Sequence, residues 1–111
     1  RDGSLKSPHT MCIPFVFGTT QAAEAFTGTG PRQDALTRKT MGAWIAFARS
    51  GNPNHADLPQ WDTWSAEARP TMVFDDDCRI ERNFKPEDLK AINACPPFVS
   101  DRQWPMPNRN G

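Results

Sequence analysis

The sequence predicts an α/β chain with one long helix and short strands towards its end. Pro31 and Gly51 bracket the helix, because proline suits the first helical position and glycine suits the left-handed residue after the last turn. Thr71–Phe74 and Cys78–Arg82 have the composition of two short strands joined by a turn. The 111 residues have room for at most one domain.

The opening segment, Arg1–Thr10, is polar and rich in turn-forming residues. Pro8 fixes its own φ angle and biases Ser7 away from the helical region. We therefore expect His9 to lie on a loop whose entry is constrained.

Two short elements are predicted between this loop and the long helix. Ile13–Phe17 is apolar, β-branched and aromatic, and it predicts a buried strand or a one-turn element, which periodicity cannot separate at this length. Ala22–Phe26 favours a turn of helix, and the glycines of Thr27–Gly30 break it.

The predicted long helix covers residues 31–50, and its second half is unusual. Gly42–Ala48 contains no polar residue, and a helix that is apolar on every side needs cover on every side. A chain of this size offers little cover, so we expect a large part of the partner surface to lie outside it. The chain begins at Arg1 and its first methionine is Met11, which favours a processed chain or part of a longer one. The alternative is a compact small domain folded around this helix.

The end of the chain predicts one more helix and a tail. Pro86–Ile92 has proline and acidic residues in its first turn, as helix N-termini prefer. Residues 96–111 contain four prolines and are expected to form a poorly ordered tail.

Composition and charge exclude several classes of partner. Thirteen Lys and Arg residues balance thirteen Asp and Glu residues, so nothing electrostatic favours nucleic acid or an anionic membrane. The apolar runs are far shorter than the roughly 20 residues that span a bilayer, and no signal peptide is expected. Cys12, Cys78 and Cys95 match no zinc spacing; they predict three ordinary thiols or, at most, one disulfide.

His9 is the first candidate for chemistry, because histidine is the usual general base at neutral pH. His55 is expected on a surface loop, since a histidine with only Asp57 beside it does not make a metal site. Asp75–Asp77 lacks the ligand pattern of a calcium loop and predicts a solvated turn. No serine lies in a Gly-x-Ser-x-Gly elbow, so the chain offers no exposed nucleophile of that type. The four tryptophans are expected to be packing residues.

A family resemblance adds to this interpretation. The run from His9 to Gly18, with the helix end Gly51-Asn52-Pro53-Asn54, resembles the C-terminal end of type-B carboxylesterases, which are serine hydrolases of the α/β-hydrolase fold. The family pattern is a histidine, a small residue, any residue and usually an acid, then an aliphatic-x-aromatic-Val-Phe-Gly run. Thr10 takes the small position, and Cys12 stands where the acid is usual.

The resemblance extends from about Leu5 to Asp77 and fades beyond that residue. Further landmarks within it are Met41–Ala48, Trp61 and Arg69–Phe74. It implies that residues 1–95 form the C-terminal part of an α/β-hydrolase domain, with an incomplete sheet and residues 96–111 as its tail.

The resemblance also implies a function. In α/β-hydrolases the triad follows the order Ser, Asp or Glu, then His. His9 would therefore be the catalytic histidine, with the nucleophile and the acid upstream of Arg1. The implied reaction is hydrolysis of an uncharged or weakly polar small-molecule carboxylic ester through an acyl-serine intermediate, without cofactor or metal. The chain would need its N-terminal portion and be inactive alone.

Two other functions remain open from the sequence. One is a non-catalytic, protein-binding member of the same fold, against which the presence of His9 argues mildly. The other is a small independent binding domain with one disulfide, for which one free thiol among the three cysteines would be expected.

Overall fold

The computed structural model describes residues 6–96. In chain order the elements are α1 (Cys12–Phe17), α2 (Glu24–Thr27), α3 (Pro31–Ser50), β1 (Thr71–Val73), β2 (Arg79–Glu81) and α4 (Pro86–Asn93). The predicted long helix, hairpin and last helix are all confirmed. The predicted tail lies outside the described residues, apart from residue 96.

Helix α3 begins and ends where the sequence signals place it. Pro31 is the first helical residue, where its missing N–H needs no partner. Gly51 ends the helix in the left-handed region, with φ 73°, and its N–H donates to the Phe47 carbonyl at 2.7 Å. This left-handed residue and Pro53 together stop the helix.

The apolar run after His9 is a helix, which selects the one-turn element over the buried strand. Pro14 is tolerated because it lies in the first turn of α1, where N–H groups have no intrahelical acceptor. The helix ends at Gly18, which has φ 66°. It packs on α3 and buries none of its own residues, and Ile13 and Phe17 are exposed.

The two strands form a small antiparallel sheet. Met72 pairs with Ile80 in the centre of the register, flanked by Thr71 with Glu81 and Val73 with Arg79. Among the described residues this sheet has two strands, and an isolated two-stranded sheet is marginally stable in water. A sheet of two strands is consistent with the expected incomplete sheet.

The core of residues 6–96 is small. Ala43 of α3 and Met72 of β1 are its buried apolar residues, and the buried Thr40 hydroxyl has no hydrogen-bond partner within residues 6–96. Trp44 and Phe47 keep 58% and 54% of their surface exposed. The apolar half of α3 is thus largely uncovered by this part of the chain. None of the described helices is both long enough and apolar enough to cross a bilayer.

The loop after α3 is closed by one asparagine side chain. Asn54 donates from Nδ2 to the Trp61 carbonyl at 2.8 Å and accepts from the Trp61 N–H at 2.6 Å. The Trp61 indole N–H then donates to the Pro70 carbonyl at 3.2 Å, and its ring meets Phe74 edge-on with centroids 6.3 Å apart. This pairing holds Trp61 between the loop and β1.

We expect Asn54→Ala to loosen this loop. The change leaves two half-buried main-chain groups of Trp61 without partners, at a cost of about 1–3 kcal/mol. Amide hydrogen exchange at Trp61 should therefore become faster. Asn93→Ala, at an exposed position of α4, is the matched control and should leave Trp61 unchanged. Equal Trp61 protection in the Asn54 variant and the unmodified chain would contradict this account.

Candidate functional site

His9 lies in a tight turn that leads directly into α1. The Met11 N–H donates to the Pro8 carbonyl at 3.2 Å and closes the turn around His9 and Thr10. The Ile13 N–H donates to the Thr10 carbonyl at 3.0 Å, which joins the turn to the helix. His9 is exposed, as expected for a loop residue. The imidazole is therefore exposed on a turn that main-chain hydrogen bonds hold in place.

The turn also contains a strained residue. Thr10 has φ 71°, in the left-handed region that β-branched residues rarely adopt. Such conformations cost about 1–3 kcal/mol and cluster at functional sites, where the surrounding structure enforces them. This strain was not predictable from residue type, because threonine does not mark a left-handed position.

The partners that a catalytic histidine needs do not meet His9 in the described chain. Within residues 6–96 the His9 imidazole has no hydrogen bond to a carboxylate or a hydroxyl group. Ser50 instead donates to the Ala46 carbonyl at 2.9 Å, and Ser65 accepts the Ala68 N–H at 3.1 Å. These two hydroxyl groups stabilise local backbone.

An open apolar groove of about 740 Å³ lies between α3 and the loop that follows it. The aromatic residues that line it are Trp44, Phe47, Trp61, Trp64 and Phe74. His9 is not among the lining residues, so the groove and the imidazole are separate features. Trp64 keeps 65% of its surface exposed, which marks the groove as a face that lacks cover.

His55 lies on the loop that follows α3, as the sequence predicts, but its ring is half-buried. Its Nε2–H donates to the Lys39 carbonyl at 2.9 Å, and its Nδ1 accepts the Asp57 N–H at 3.3 Å. A carbonyl can only accept and an amide N–H can only donate, so the pair fixes the neutral tautomer with the proton on Nε2. Both ring nitrogens are thus engaged in structure, and His55 is not a candidate base or metal ligand.

A glycine inside α3, Gly42, is the sequence feature that indicates the structural role of His55. A Cβ atom on Gly42 would lie 2.9 Å from both Cε1 and Nε2 of His55, which is too close for any real contact. Glycine costs about 0.5–1 kcal/mol in a helix interior, so its presence there needs a reason. The close approach of the His55 ring supplies that reason.

The acidic turn Asp75–Asp77 is tied to α3 by basic side chains. The Arg32 guanidinium donates to the Asp76 carboxylate, from Nε to Oδ1 at 3.2 Å, and Lys39 Nζ donates to the Asp76 carbonyl at 3.0 Å. The hydrogen bonding from Arg32 lowers the pKa of Asp76, and the same contact raises the pKa of Arg32. The turn is exposed, as predicted, but its central acid is paired.

The described residues bring no metal ligands together. Between residues 6 and 96, no group of three His, Cys, Asp or Glu side chains is arranged to hold an ion. Cys12, Cys78 and Cys95 are all free thiols in this structure. The possible disulfide is therefore not formed.

Comparison with known proteins places these features in context. The model of the family described as the carboxylesterase family matches residues 2–92. The match extends past Asp77, where we expected the resemblance to fade, and so includes β2 and most of α4.

Individual relatives agree with this match. The chain is 30% identical to the para-nitrobenzyl esterase of Bacillus subtilis over 82% of its length and 40% identical to carboxylesterase 5A of Mus musculus over 89%. It covers 18% of each of those two proteins. Among solved structures, a carboxylesterase from Geobacillus stearothermophilus is similar with a TM-score of 0.67 and 31% identity, covering 78% of this chain and 19% of that one. That neighbour is an α/β-hydrolase, and the two-stranded sheet is consistent with part of such a fold.

The contact between Gly42 and His55 predicts that the effect of Gly42→Ala on stability changes sign when the His55 ring is removed. Gly42→Ala should destabilise the chain by about 1–2 kcal/mol, because the added methyl group displaces the ring and breaks its bond to the Lys39 carbonyl. In a His55→Ala background the same change should stabilise by about 0.5–1 kcal/mol, since alanine is the better helix former. Urea unfolding followed by far-ultraviolet circular dichroism measures both. Effects of the same sign in the two backgrounds would refute the contact.

Proposed function

The chain belongs to the carboxylesterase family, and from that membership we propose that it is the C-terminal part of an α/β-hydrolase that cleaves carboxylic esters through an acyl-serine intermediate. His9 is its general base and acid. The observation that supports this role most directly is the strained, hydrogen-bonded turn that presents His9 at the start of α1.

The proposed chemistry gives His9 two proton transfers. The imidazole takes the proton of the nucleophilic serine hydroxyl as that oxygen bonds to the ester carbonyl carbon. It then gives the proton to the alcohol oxygen as the bond from that oxygen to the carbonyl carbon breaks. In the second half of the cycle the imidazole takes a proton from water as the water oxygen bonds to the acyl carbon. It then gives that proton to the serine oxygen as the bond from serine to the acyl carbon breaks, which releases the carboxylic acid. A carboxylate on the other ring nitrogen keeps the imidazole in the correct tautomer.

The serine and this carboxylate belong to an N-terminal portion in the proposal. The chain spans 18% of the two relatives above, and its sequence contains no Gly-x-Ser-x-Gly elbow. The exposed imidazole supports this division, because the rest of the triad can reach it from outside residues 6–96.

The apolar groove supports the need for that N-terminal portion. Trp44 and Phe47 of α3, with Trp64 of the following loop, expose more than half of their surface. Large exposed apolar patches of this kind mark interaction surfaces. In the proposal, the remainder of the hydrolase covers this side of α3.

The alternative of a small independent binding domain is less well supported. Its core would consist of Ala43 and Met72, and the disulfide it calls for is not formed. A non-catalytic member of the same fold would place no demand on position 9, yet here a histidine lies beside a strained residue in a tight turn.

The first test uses the longer protein that contains this chain. His9→Ala should lower kcat for ester hydrolysis by about 10⁴-fold or more, as removal of a triad member does. His55→Ala is the matched histidine control, and it should leave kcat per folded enzyme within about twofold, because His55 only holds the loop to α3. Comparable kcat values for the His9 variant and the unmodified enzyme would refute the proposal.

The second test uses the 111-residue chain alone. It should not hydrolyse an alkyl ester above the rate of its His9→Ala variant, and it should bind an apolar fluorescent dye through the groove. An alkyl ester is chosen because free imidazole slowly cleaves activated aryl esters. A Trp44→Ser, Phe47→Ser variant should bind less dye. Turnover that depends on His9 would contradict a nucleophile supplied from elsewhere.

A further inference from the structure

We propose that Met41, together with the methyl group of Thr37, is a positioning residue for His9. The two side chains hold the end of α1 against α3 and thereby fix the turn that presents the imidazole. The inference rests on the proposed role of His9 and adds the contact that positions its imidazole.

The end of α1 lies in close contact with α3. Gly18 ends the helix with φ 66°, and the Pro14 carbonyl accepts hydrogen bonds from the N–H groups of Gly18 and Thr19. A Cβ atom on Gly18 would lie 3.3 Å from Met41 Sδ and 3.9 Å from Thr37 Cγ2. The end of α1 therefore lies close to these two residues, with little room for a side chain beside Met41.

The orientation of Thr37 is fixed by a hydrogen bond. Its hydroxyl group donates to the Gln33 carbonyl at 2.7 Å, one turn earlier in α3. This bond selects one rotamer of a β-branched side chain, and in that rotamer the methyl group faces Gly18. Thr37 thus presents a rigid apolar contact beside the sulfur of Met41.

Gly18 is connected back to His9 through α1. Helix α1 is six residues long, or about 9 Å, and main-chain hydrogen bonds of Met11 and Ile13 continue it into the turn. A displacement at the end of α1 is therefore passed to position 9. The described chain offers α1 little other attachment, because none of its residues is buried and α3 is its packing partner.

The test compares two esters with the same acyl group in the longer enzyme. A misplaced imidazole should harm an alkyl ester more than a nitrophenyl ester, since the alkoxide must receive a proton to leave and the nitrophenolate need not. Met41→Ala should lower kcat for the alkyl ester by about 10- to 100-fold, with a smaller loss for the nitrophenyl ester and little change in KM. Met41→Leu, which keeps the volume, should restore most of the rate.

A second variant and a second readout guard against simple misfolding. Thr37→Ser keeps the hydroxyl bond and removes only the methyl group, so it should lower the alkyl-to-nitrophenyl ratio in the same direction but less. In the 111-residue chain, Met41→Ala should speed amide exchange at Met11 and Ile13. Phe47→Ala, which removes a groove residue of α3, should not.

The outcomes separate this inference from the function on which it rests. Equal losses for the two esters, or unchanged exchange at Met11 and Ile13 in the Met41→Ala chain, would overturn the positioning role. An enzyme that is indifferent to His9→Ala would instead overturn the proposed function, and the exchange measurement would still decide whether Met41 holds the turn.

Discussion

The structure depends on α3 and on two places where glycine allows close contact with it. At one of them Gly18 of the preceding segment rests on Met41, and at the other Gly42 of α3 admits the ring of His55. A Cβ atom at Gly42 would clash with the His55 ring at 2.9 Å, and one at Gly18 would be tight against Met41 Sδ at 3.3 Å. A helix with few buried residues can still position the segments packed on it. At each glycine, atoms of the neighbouring segment fill the space that a side chain would occupy.

Much of this architecture was predictable because its signals are local. Pro31 and Gly51 define α3 through the geometry of their own φ angles, and the hairpin and α4 follow from short-range composition. The segment Ile13–Phe17 was not decidable, since its β-branched and aromatic residues favour a strand while its position against α3 favours a helix.

The features that sequence reasoning missed depend on distant or main-chain partners. His55 is held by the carbonyl of Lys39, sixteen residues away. Every residue has a main-chain carbonyl, so residue type does not indicate which one is the partner. The turn around Thr10 enforces its left-handed conformation, which β-branched residues disfavour. The position of His9 in a loop was predictable. The partners of its proposed role were not, because the sequence contains neither a nucleophile elbow nor a way to identify the acid.

The pairing of Asn54 with Trp61 has a consequence for how this region can vary. The side-chain amide of Asn54 joins the two ends of the loop 55–60 and holds its flanks in register. Residues 56–60 form the outer part of that loop and are mostly exposed. Insertions or deletions in residues 56–60 would change the surface without shifting Trp61. Homologues can therefore differ in length there at small energetic cost.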